Sequence, residues 1–205
     1  MRRISAASCG VRSPCDAGSA PGLPDGHDRG MTTMTFGPGS GHLHLLTGVE
    51  GKAARLGHDL VLDVADWSAQ ADLDGDVPTA VRLRAALSTL SVQSGTGGAK
   101  ALSDKDRATI LKNALGAMRA AQHPEVVFTS KEVTASGDGF TVNGDLSIGG
   151  QTRPTVVQVT VSGTALSVRS SVVQTAFDVE PYSAMLGALR LRDRVDVELV
   201  AAIPG

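Results

Sequence analysis

The feature that most restricts the fold of this chain is an apolar–polar alternation with a period of two residues, which recurs from residue 42 onward. In the segment HDLVLDVADW, Leu60 and Leu62 share one side of an extended chain while Asp59 and Asp63 lie on the other. This spacing predicts strands with one buried face and one face in water, as in antiparallel sheets. Equivalent runs are PTAVRLRAALSTL, GFTVNGDLSI, PTVVQVTVSG, LSVRSSV and DRVDVELVAAI.

One segment departs from this alternation. In SDKDRATILKNALGAMRAAQHP, apolar residues between Ile110 and Met118 recur at the spacing of a helix. Ser103 is a suitable N-cap, and Pro124 is a suitable stop signal. The sequence therefore predicts one α-helix at about residues 104–121.

About eight strands with one apolar face each would leave edges and apolar surface uncovered in an open sheet. Closure into an antiparallel β-barrel removes both problems, with the helix capping or flanking it. A two-sheet sandwich is the alternative. The chain is 41% hydrophobic but only 3% aromatic, so the interior must consist mainly of small aliphatic side chains. A barrel of this size either is filled by side chains or holds one ligand, and small side chains favour an elongated apolar cavity.

The N-terminal segment has a different composition. It is rich in Gly, Pro and Ser, shows no apolar periodicity and contains both cysteines, Cys9 and Cys15. Such a composition predicts disorder, because it cannot bury enough apolar surface to offset the entropy of ordering. We therefore expect a disordered tail over residues 1–35, which a start codon set too early would explain, and a barrel domain over residues 40–205. No apolar signal-peptide core follows the first residues, so we expect a cytoplasmic location.

Charge and hydropathy narrow the range of partners. The formal net charge is −2, which does not indicate a surface for bulk nucleic-acid binding. No apolar run approaches the roughly 18–20 residues that a transmembrane helix needs. We expect no nucleic-acid partner, no transmembrane segment and no cofactor.

The order of several segments resembles the YceI-like, or polyisoprenoid-binding-like, family, and most of all its actinobacterial branch. The most specific parts are PEVVFTS at residues 124–130 and GDLSIGGQTRP at residues 144–154, within a resemblance that covers about residues 40–203. The resemblance implies a lipocalin-like barrel whose lumen takes isoprenoid quinones, polyprenyl chains or similar lipid amphiphiles. It also implies binding rather than turnover, and relatives that pair as a homodimer.

The inward-facing positions define the predicted ligand contacts. Aliphatic and aromatic side chains would surround the ligand chain, with His58 and Tyr182 nearer its polar end. Trp67 is expected to line or close the barrel, with core packing as the alternative. The predicted ligand-binding residues are His58, Leu60, Leu62, Trp67, Leu83, Phe128, Phe140, Leu146, Val157, Val168 and Tyr182.

The histidines raise the question of enzymatic chemistry. His58 and Asp59 are adjacent on a strand and point to opposite faces, which argues against a catalytic pair. His42 and His44 have a spacing that zinc accepts, but their neighbours take the inward parity, so both should face outward. We expect neither catalytic residues nor a metal site. The alternatives to a lipid carrier are an interaction module with a filled barrel and a histidine-based metalloenzyme.

The segment PYSAMLGALRLRD interrupts the strand pattern with a mostly apolar turn. It allows two interpretations. The segment either covers the cavity as a lid or fills it as a core plug, with Tyr182 packed and its hydroxyl bonded locally.

Overall fold

The computed structural model describes residues 31–204. Its main feature is an antiparallel sheet of eleven strand segments that curls around a cavity, in the order β1-β5-β6-β8-β9-β10-β11-β14-β2-β4-β7. A small second sheet has the order β12-β13-β3. The strands are β1 (Met31–Phe36), β2 (Gly41–Thr47), β3 (Val49–Glu50), β4 (His58–Val64), β5 (Trp67–Asp74), β6 (Val77–Ala86), β7 (Leu90–Gly97), β8 (Glu125–Ser136), β9 (Gly139–Ile148), β10 (Gln151–Ser162), β11 (Ala165–Val173), β12 (Ser183–Ala184), β13 (Leu189–Leu191) and β14 (Arg194–Ala202), and the helix is α1 (Asp104–Ala117).

Three pairs of consecutive segments are the bent halves of longer strands. β1 pairs with β5 while β2 pairs with β4, and β6 pairs with β5 while β7 pairs with β4. The segments β1–β2, β4–β5 and β6–β7 therefore run together as continuous antiparallel strands with a bend in each. Counted in this way, the sheet has about eight long strands, and the pairing of β14 with β2 brings its two ends together. The predicted lipocalin-like antiparallel barrel of about eight strands is confirmed.

The structure corrects the start of the ordered domain. β1 begins at Met31 and pairs with β5 along its whole length, although it lies partly within the tail expected over residues 1–35. Phe36 at the end of this strand is buried in one of two apolar clusters, which also contains Leu60, Leu62 and Trp67 and is called the main core below. The threonines of MTTMTF hide the alternation, so the sequence pattern did not reveal the strand. The earlier part of the expected tail, with Cys9 and Cys15, lies outside the described residues.

The alternation predicted for the long strands is present. In β4, Leu60, Leu62 and Val64 are buried, while the residues between them are partly or fully exposed. In β9, Val142 is the most deeply buried of the large side chains, at 1% exposure. The period of two in the sequence therefore corresponds to an apolar face toward the barrel interior and a polar face toward water.

Helix α1 starts where the sequence predicts. Ser103 Oγ accepts a hydrogen bond from Asp106 N–H at 3.2 Å, and Asp106 Oδ2 accepts one from Ser103 N–H at 3.0 Å. These reciprocal bonds form a capping box. The Ser103 hydroxyl also donates a hydrogen bond to the Asp106 carboxylate, and this bond is the main reason why the pKa of that carboxyl is lowered. The helix ends at Ala117 instead of the predicted residue 121, because Arg119 takes a left-handed conformation with φ of 53°.

The helix flanks the barrel at β7, the last segment of the sheet order. Arg107 Nη1 donates a hydrogen bond to Val92 O of β7 at 2.6 Å. The apolar side of the helix is only half-buried and packs against the main core. The side chains on this face include Ile110, Leu111, Ala114, Leu115 and Met118.

The two ends of the barrel differ in their connections. The lower rim consists of tight turns at residues 75–76, 137–138 and 163–164. The upper rim has one tight turn, at residues 149–150, and longer connections over residues 48–57, 98–124 and 174–193, of which the first and the last carry the small second sheet. The upper rim therefore has far more chain with which to shape an entrance.

A glycine in the barrel wall provides a test of this packing. A Cβ at Gly144 in β9 would meet the backbone oxygen of Thr129 and lie 2.6 Å from Phe128 Cζ. We expect Gly144→Ala to lower the free energy of unfolding by about 1–3 kcal/mol, because overpacking forces the neighbouring strand to move. The measurement is urea denaturation followed by circular dichroism.

Gly116 in α1 is the matched control, because a Cβ there meets no atom within 4 Å. Gly116→Ala should leave stability unchanged or raise it by up to about 1 kcal/mol through helix propensity. Equal stabilities of the two variants would contradict the predicted wall packing.

Candidate functional site

The barrel encloses a cavity of about 1530 Å³. This volume exceeds the roughly 300–1,000 Å³ of most small-molecule pockets. The cavity is bordered by Asp138 of the lower rim and by Tyr182 of the upper rim, so it runs along the length of the barrel. An elongated molecule therefore fits its shape better than a compact one.

The inward faces of the strands form the wall of this cavity. All of the residues predicted to bind a ligand line it, with the exception of Trp67. The wall consists mainly of Leu, Val and Phe, and most polar lining residues lie on α1 or at the two rims. The predicted residues that line the cavity are His58, Leu60, Leu62, Leu83, Phe128, Phe140, Leu146, Val157, Val168 and Tyr182.

Trp67 is not part of the cavity wall. It lies at the start of β5 beside the bend that follows β4, is 2% exposed, and packs in the main core. Its indole Nε1 is buried with no hydrogen-bond partner among the described residues. The structure thus assigns Trp67 to core packing, the alternative that the sequence left open.

Thr47 is a lining residue that the sequence analysis missed. It ends β2 at the upper rim, and its Oγ1 is buried without a hydrogen-bond partner among the described residues. A buried hydroxyl with no partner costs free energy, which a hydrogen bond from a bound molecule would recover. In the sequence, only the two-residue spacing from Leu43 and Leu45 indicates that the Thr47 side chain lies on the same, inward face of the strand.

His58 lines the cavity at the upper rim and also has a partner in the protein. Its Nε2 lies 2.8 Å from the carbonyl oxygen of Lys100. Because a carbonyl only accepts hydrogen bonds, Nε2 carries the proton in this pair. A Cβ at Gly98 would collide with the imidazole, so the glycine lets the backbone approach the ring.

Asp59 binds the backbone of the upper rim and does not pair with His58. Its Oδ1 accepts a hydrogen bond from Val49 N–H at 2.8 Å, and Val49 is itself a lining residue. The carboxylate therefore holds the connection between β2 and β4, on the opposite side of the strand from His58. The predicted divergence of these two side chains is confirmed.

The other histidines of the sheet lie outside the cavity. The rings of His42 and His44 stack with centroids 4.3 Å apart, and His44 Nε2 lies 3.4 Å from Asp63 Oδ1. Neither histidine lines the cavity. Within residues 31–204, no group of three or more His, Cys, Asp or Glu side chains is placed to hold a metal ion.

The apolar turn of the upper rim neither plugs nor fully covers the cavity. Tyr182 borders the entrance but is 51% exposed, and its carbonyl oxygen accepts a hydrogen bond from Leu191 N–H at 2.8 Å. Met185 and Leu186 point into solvent. The core-plug interpretation is therefore wrong for Tyr182, Met185 and Leu186, which are exposed, whereas Leu189 and Leu191 of the same segment line the cavity.

The base of this rim loop is held by a polar contact. Thr175 donates hydrogen bonds to Asp193 from its backbone N–H, at 2.9 Å, and from its hydroxyl, at 2.6 Å. These bonds, with that of the hydroxyl dominant, hold the pKa of the Asp193 carboxyl below its usual value. The two ends of the loop are thereby fixed to each other.

In the part of the chain that the structure describes, no helix has the length and hydrophobicity needed to cross a bilayer.

Comparison with known proteins gives the same architecture. The crystal structure of BcnA from Burkholderia cenocepacia is similar, with a TM-score of 0.52 and 16% identity over 79% of this chain and 96% of that one. The crystal structure of the YCEI protein from Campylobacter jejuni is more distantly similar, with a TM-score of 0.48 and 13% identity over 70% of this chain and 85% of that one. No curated protein matches the chain by sequence. The family model of the YceI-like domain matches residues 33–203, nearly all of the described chain, and the protein therefore belongs to the YceI-like family.

Proposed function

We propose that the protein binds an isoprenoid quinone, a polyprenyl chain or another lipid amphiphile in the barrel, and that it sequesters or carries this ligand without chemical turnover. The observation that supports this most directly is the long apolar cavity of about 1530 Å³. Family membership agrees with binding of this kind of ligand. The cytoplasmic location and the homodimer expected from the sequence stay predictions.

The wall of the cavity suits an alkyl or prenyl chain. Burial of about ten methylene groups releases roughly 8 kcal/mol at ~0.8 kcal/mol each, before the costs of association and chain ordering are subtracted. Those costs amount to several kcal/mol, so micromolar or tighter binding needs few polar contacts. An apolar lumen with polar groups mainly at its ends meets this requirement.

The polar head of the ligand is expected at the upper rim. Thr47 Oγ1 offers a buried hydroxyl without a partner among the described residues, and the Nδ1 atom of His58 is not used in the bond to Lys100. A carbonyl, hydroxyl or similar group of an amphiphile would hydrogen-bond to these side chains. The chain of the ligand would then extend toward the lower rim.

The same geometry argues against the two alternatives. A barrel packed with its own side chains would not leave a cavity of this volume. For an enzyme, His58 has a carbonyl as its partner and Asp59 faces the other way, so these two residues do not form a base with its orienting acid at the cavity. Binding therefore explains the lining better than catalysis does.

The direct test of the ligand class is organic extraction of protein purified from its native host. We expect mass spectrometry to find a reproducible isoprenoid or other lipid, released only when the barrel is unfolded. A protein that carries no lipid and fails to bind quinone or fatty-acid probes in solution would overturn the proposal.

A cavity-filling substitution tests where the ligand lies. Val157→Phe places a ring into the lumen, whereas the neighbouring Val156 is 54% exposed on the outer face. We expect Val157→Phe to weaken binding of a fluorescent fatty-acid or quinone probe by tenfold or more, about 1.4 kcal/mol. Val156→Phe is the matched control and should bind as the unmodified protein does. Equal affinities in the two variants would place the ligand outside the barrel.

A second substitution tests the orientation of the head group. Thr47→Val removes the hydroxyl at nearly constant volume, so the free energy of unfolding should stay the same or rise. Affinity for a quinone should fall by about threefold to tenfold, which corresponds to one hydrogen bond, while affinity for a hydrocarbon chain without a head group should not change. Thr47→Ser keeps the hydroxyl and should retain most of the affinity for the quinone. A uniform loss for both probes would show that Thr47 acts through packing alone.

A further inference from the structure

The barrel wall is incomplete beside β7. The ladder between β6 and β8 reaches Ala86 and Glu125, and a hydrogen bond of 2.9 Å from Leu87 N–H to Pro124 O continues it by one step. In the described part of the chain, β7 then runs on for eight residues with β4 as its one partner in the sheet. One edge of β7 therefore has no strand beside it, and the wall has a lateral gap there.

Helix α1 covers this gap. Its body packs against β7, and Ile110, Ala114 and Met118 line the cavity from the helix. The 14 residues of α1 span about 21 Å, which is close to the roughly 26 Å spanned by the eight residues of β7. Displacement of the helix would leave a slot about as wide as a helix, roughly 10 Å.

Few contacts hold α1 in this position. None of its residues is buried. Among the described residues, the one side-chain hydrogen bond from the helix to a strand runs from Arg107 Nη1 to Val92 O, at 2.6 Å. The strands of the wall are instead hydrogen-bonded to their neighbours over many residues. Opening of α1 therefore costs less free energy than opening of the sheet.

The C-terminal end of the helix is the firmly held end. The chain turns tightly after α1, and His123 N–H donates a hydrogen bond to Arg119 O at 2.9 Å. A Cβ at Gly149 would lie 2.9 Å from Met118 O, so this end packs directly on the turn between β9 and β10. Movement of the helix would therefore turn about residues 118–124.

The N-terminal end is held by side chains. Among the described residues, the backbone of residues 98–102 forms no hydrogen bond with another backbone group. His58 Nε2 donates a hydrogen bond to Lys100 O at 2.8 Å. Leu102 packs over Gly95 of β7, where a Cβ would lie 2.5 Å from Leu102 Cδ1. This end can therefore leave β7 without breaking any part of the backbone ladder.

We propose that α1 is a lid over the lateral gap, that its N-terminal end lifts away from β7, and that the ligand enters and leaves the lumen beneath it. The bonds of His58 to Lys100 O and of Arg107 to Val92 O hold the lid closed. Exchange of a ligand by this route rests on the proposed function. The opening movement does not, because it follows from the packing of the helix alone.

The lateral route suits a long apolar ligand. Entry beside Tyr182 would require the chain to be threaded end-first past Thr47 and His58, which line the upper end of the cavity. A slot along β7 admits the chain over much of its length at once. The polar head can then stay at the upper rim while the apolar chain moves into the lumen.

The first test is the substitution Arg107→Ala. Arg107 does not line the cavity, so its loss acts on the lid and not on the ligand. We expect the association and dissociation rates of a fluorescent fatty-acid or quinone probe to rise together by about fivefold or more, which corresponds to one lost hydrogen bond, while Kd stays nearly constant. Arg107→Lys keeps a donor and should give smaller increases. Stopped-flow fluorescence measures both rates.

Two control variants separate the lid from other effects. Arg169→Ala removes an exposed arginine of β11 that is bonded to Glu198 at 3.2 Å, and it should leave both rates unchanged. Gly144→Ala is expected to lower the stability of the whole barrel, but it does not touch the lid. Equal acceleration in Gly144→Ala and Arg107→Ala would show general loosening and overturn the proposal.

A reversible lock tests the same movement in the opposite direction. Gly95→Cys with Leu102→Cys, in a chain with both natural cysteines replaced by serine, places two thiols within the range of a disulfide, whose Cβ atoms are about 3.8 Å apart. With the bond confirmed by the mass of the intact protein, oxidation should slow probe exchange by about tenfold or more, and a reductant should restore it. Equal rates in the oxidised and reduced protein would show that the ligand passes beside Tyr182, and the lid proposal would be wrong.

A measurement without ligand separates the lid from the proposed function. Ala85 lines the cavity and is 5% exposed, so Ala85→Cys in the same cysteine-free chain reports access to the lumen through its rate of labelling by a thiol reagent. We expect Arg107→Ala to raise this rate by about fivefold or more. An unchanged labelling rate would overturn the lid whether or not a probe binds. Faster labelling in a protein that binds no probe would support the lid and contradict the proposed function.

Discussion

The structure depends on the closure of an antiparallel sheet around side chains that are too small to fill it. Hydrogen bonds between β14 and β2 join the two ends of the sheet, and the bends within the three longest strands let the ladder continue around the barrel. Closure satisfies the backbone groups that an open edge would leave unpaired. The cavity follows from the combination of this closed wall with a lining in which leucine and valine are the commonest residues.

Much of this architecture was predictable because it depends on periodicity. Strict alternation in β4, β9, β10 and β14 identifies which side chains face inward, and the same residues line the cavity. The start of α1 was also predictable, because the Ser103 cap acts within one turn of the chain. Such local patterns do not need tertiary context to be interpreted.

The remaining features depend on contacts between distant parts of the chain. β1 has little alternation of its own and is defined by its pairing with β5. Trp67 looks like a lining residue by type, but the bend between β4 and β5 turns it into the core. The orphaned hydroxyl of Thr47 and the outward direction of Leu186 are properties of the folded rim. No pattern of spacing in the sequence distinguishes them from ordinary positions.

The half-buried face of α1 links folding to the contents of the barrel. Ile110, Ala114 and Met118 line the cavity while they pack against the main core, and no residue of the helix is fully buried. A hydrophobic chain in the lumen would supply the contacts that this face lacks, so an occupied barrel would hold its helix more firmly than an empty one. Local opening of the helix would then be less frequent when a ligand occupies the barrel, and amide hydrogen exchange along α1 would be slower in the occupied protein than in the empty one.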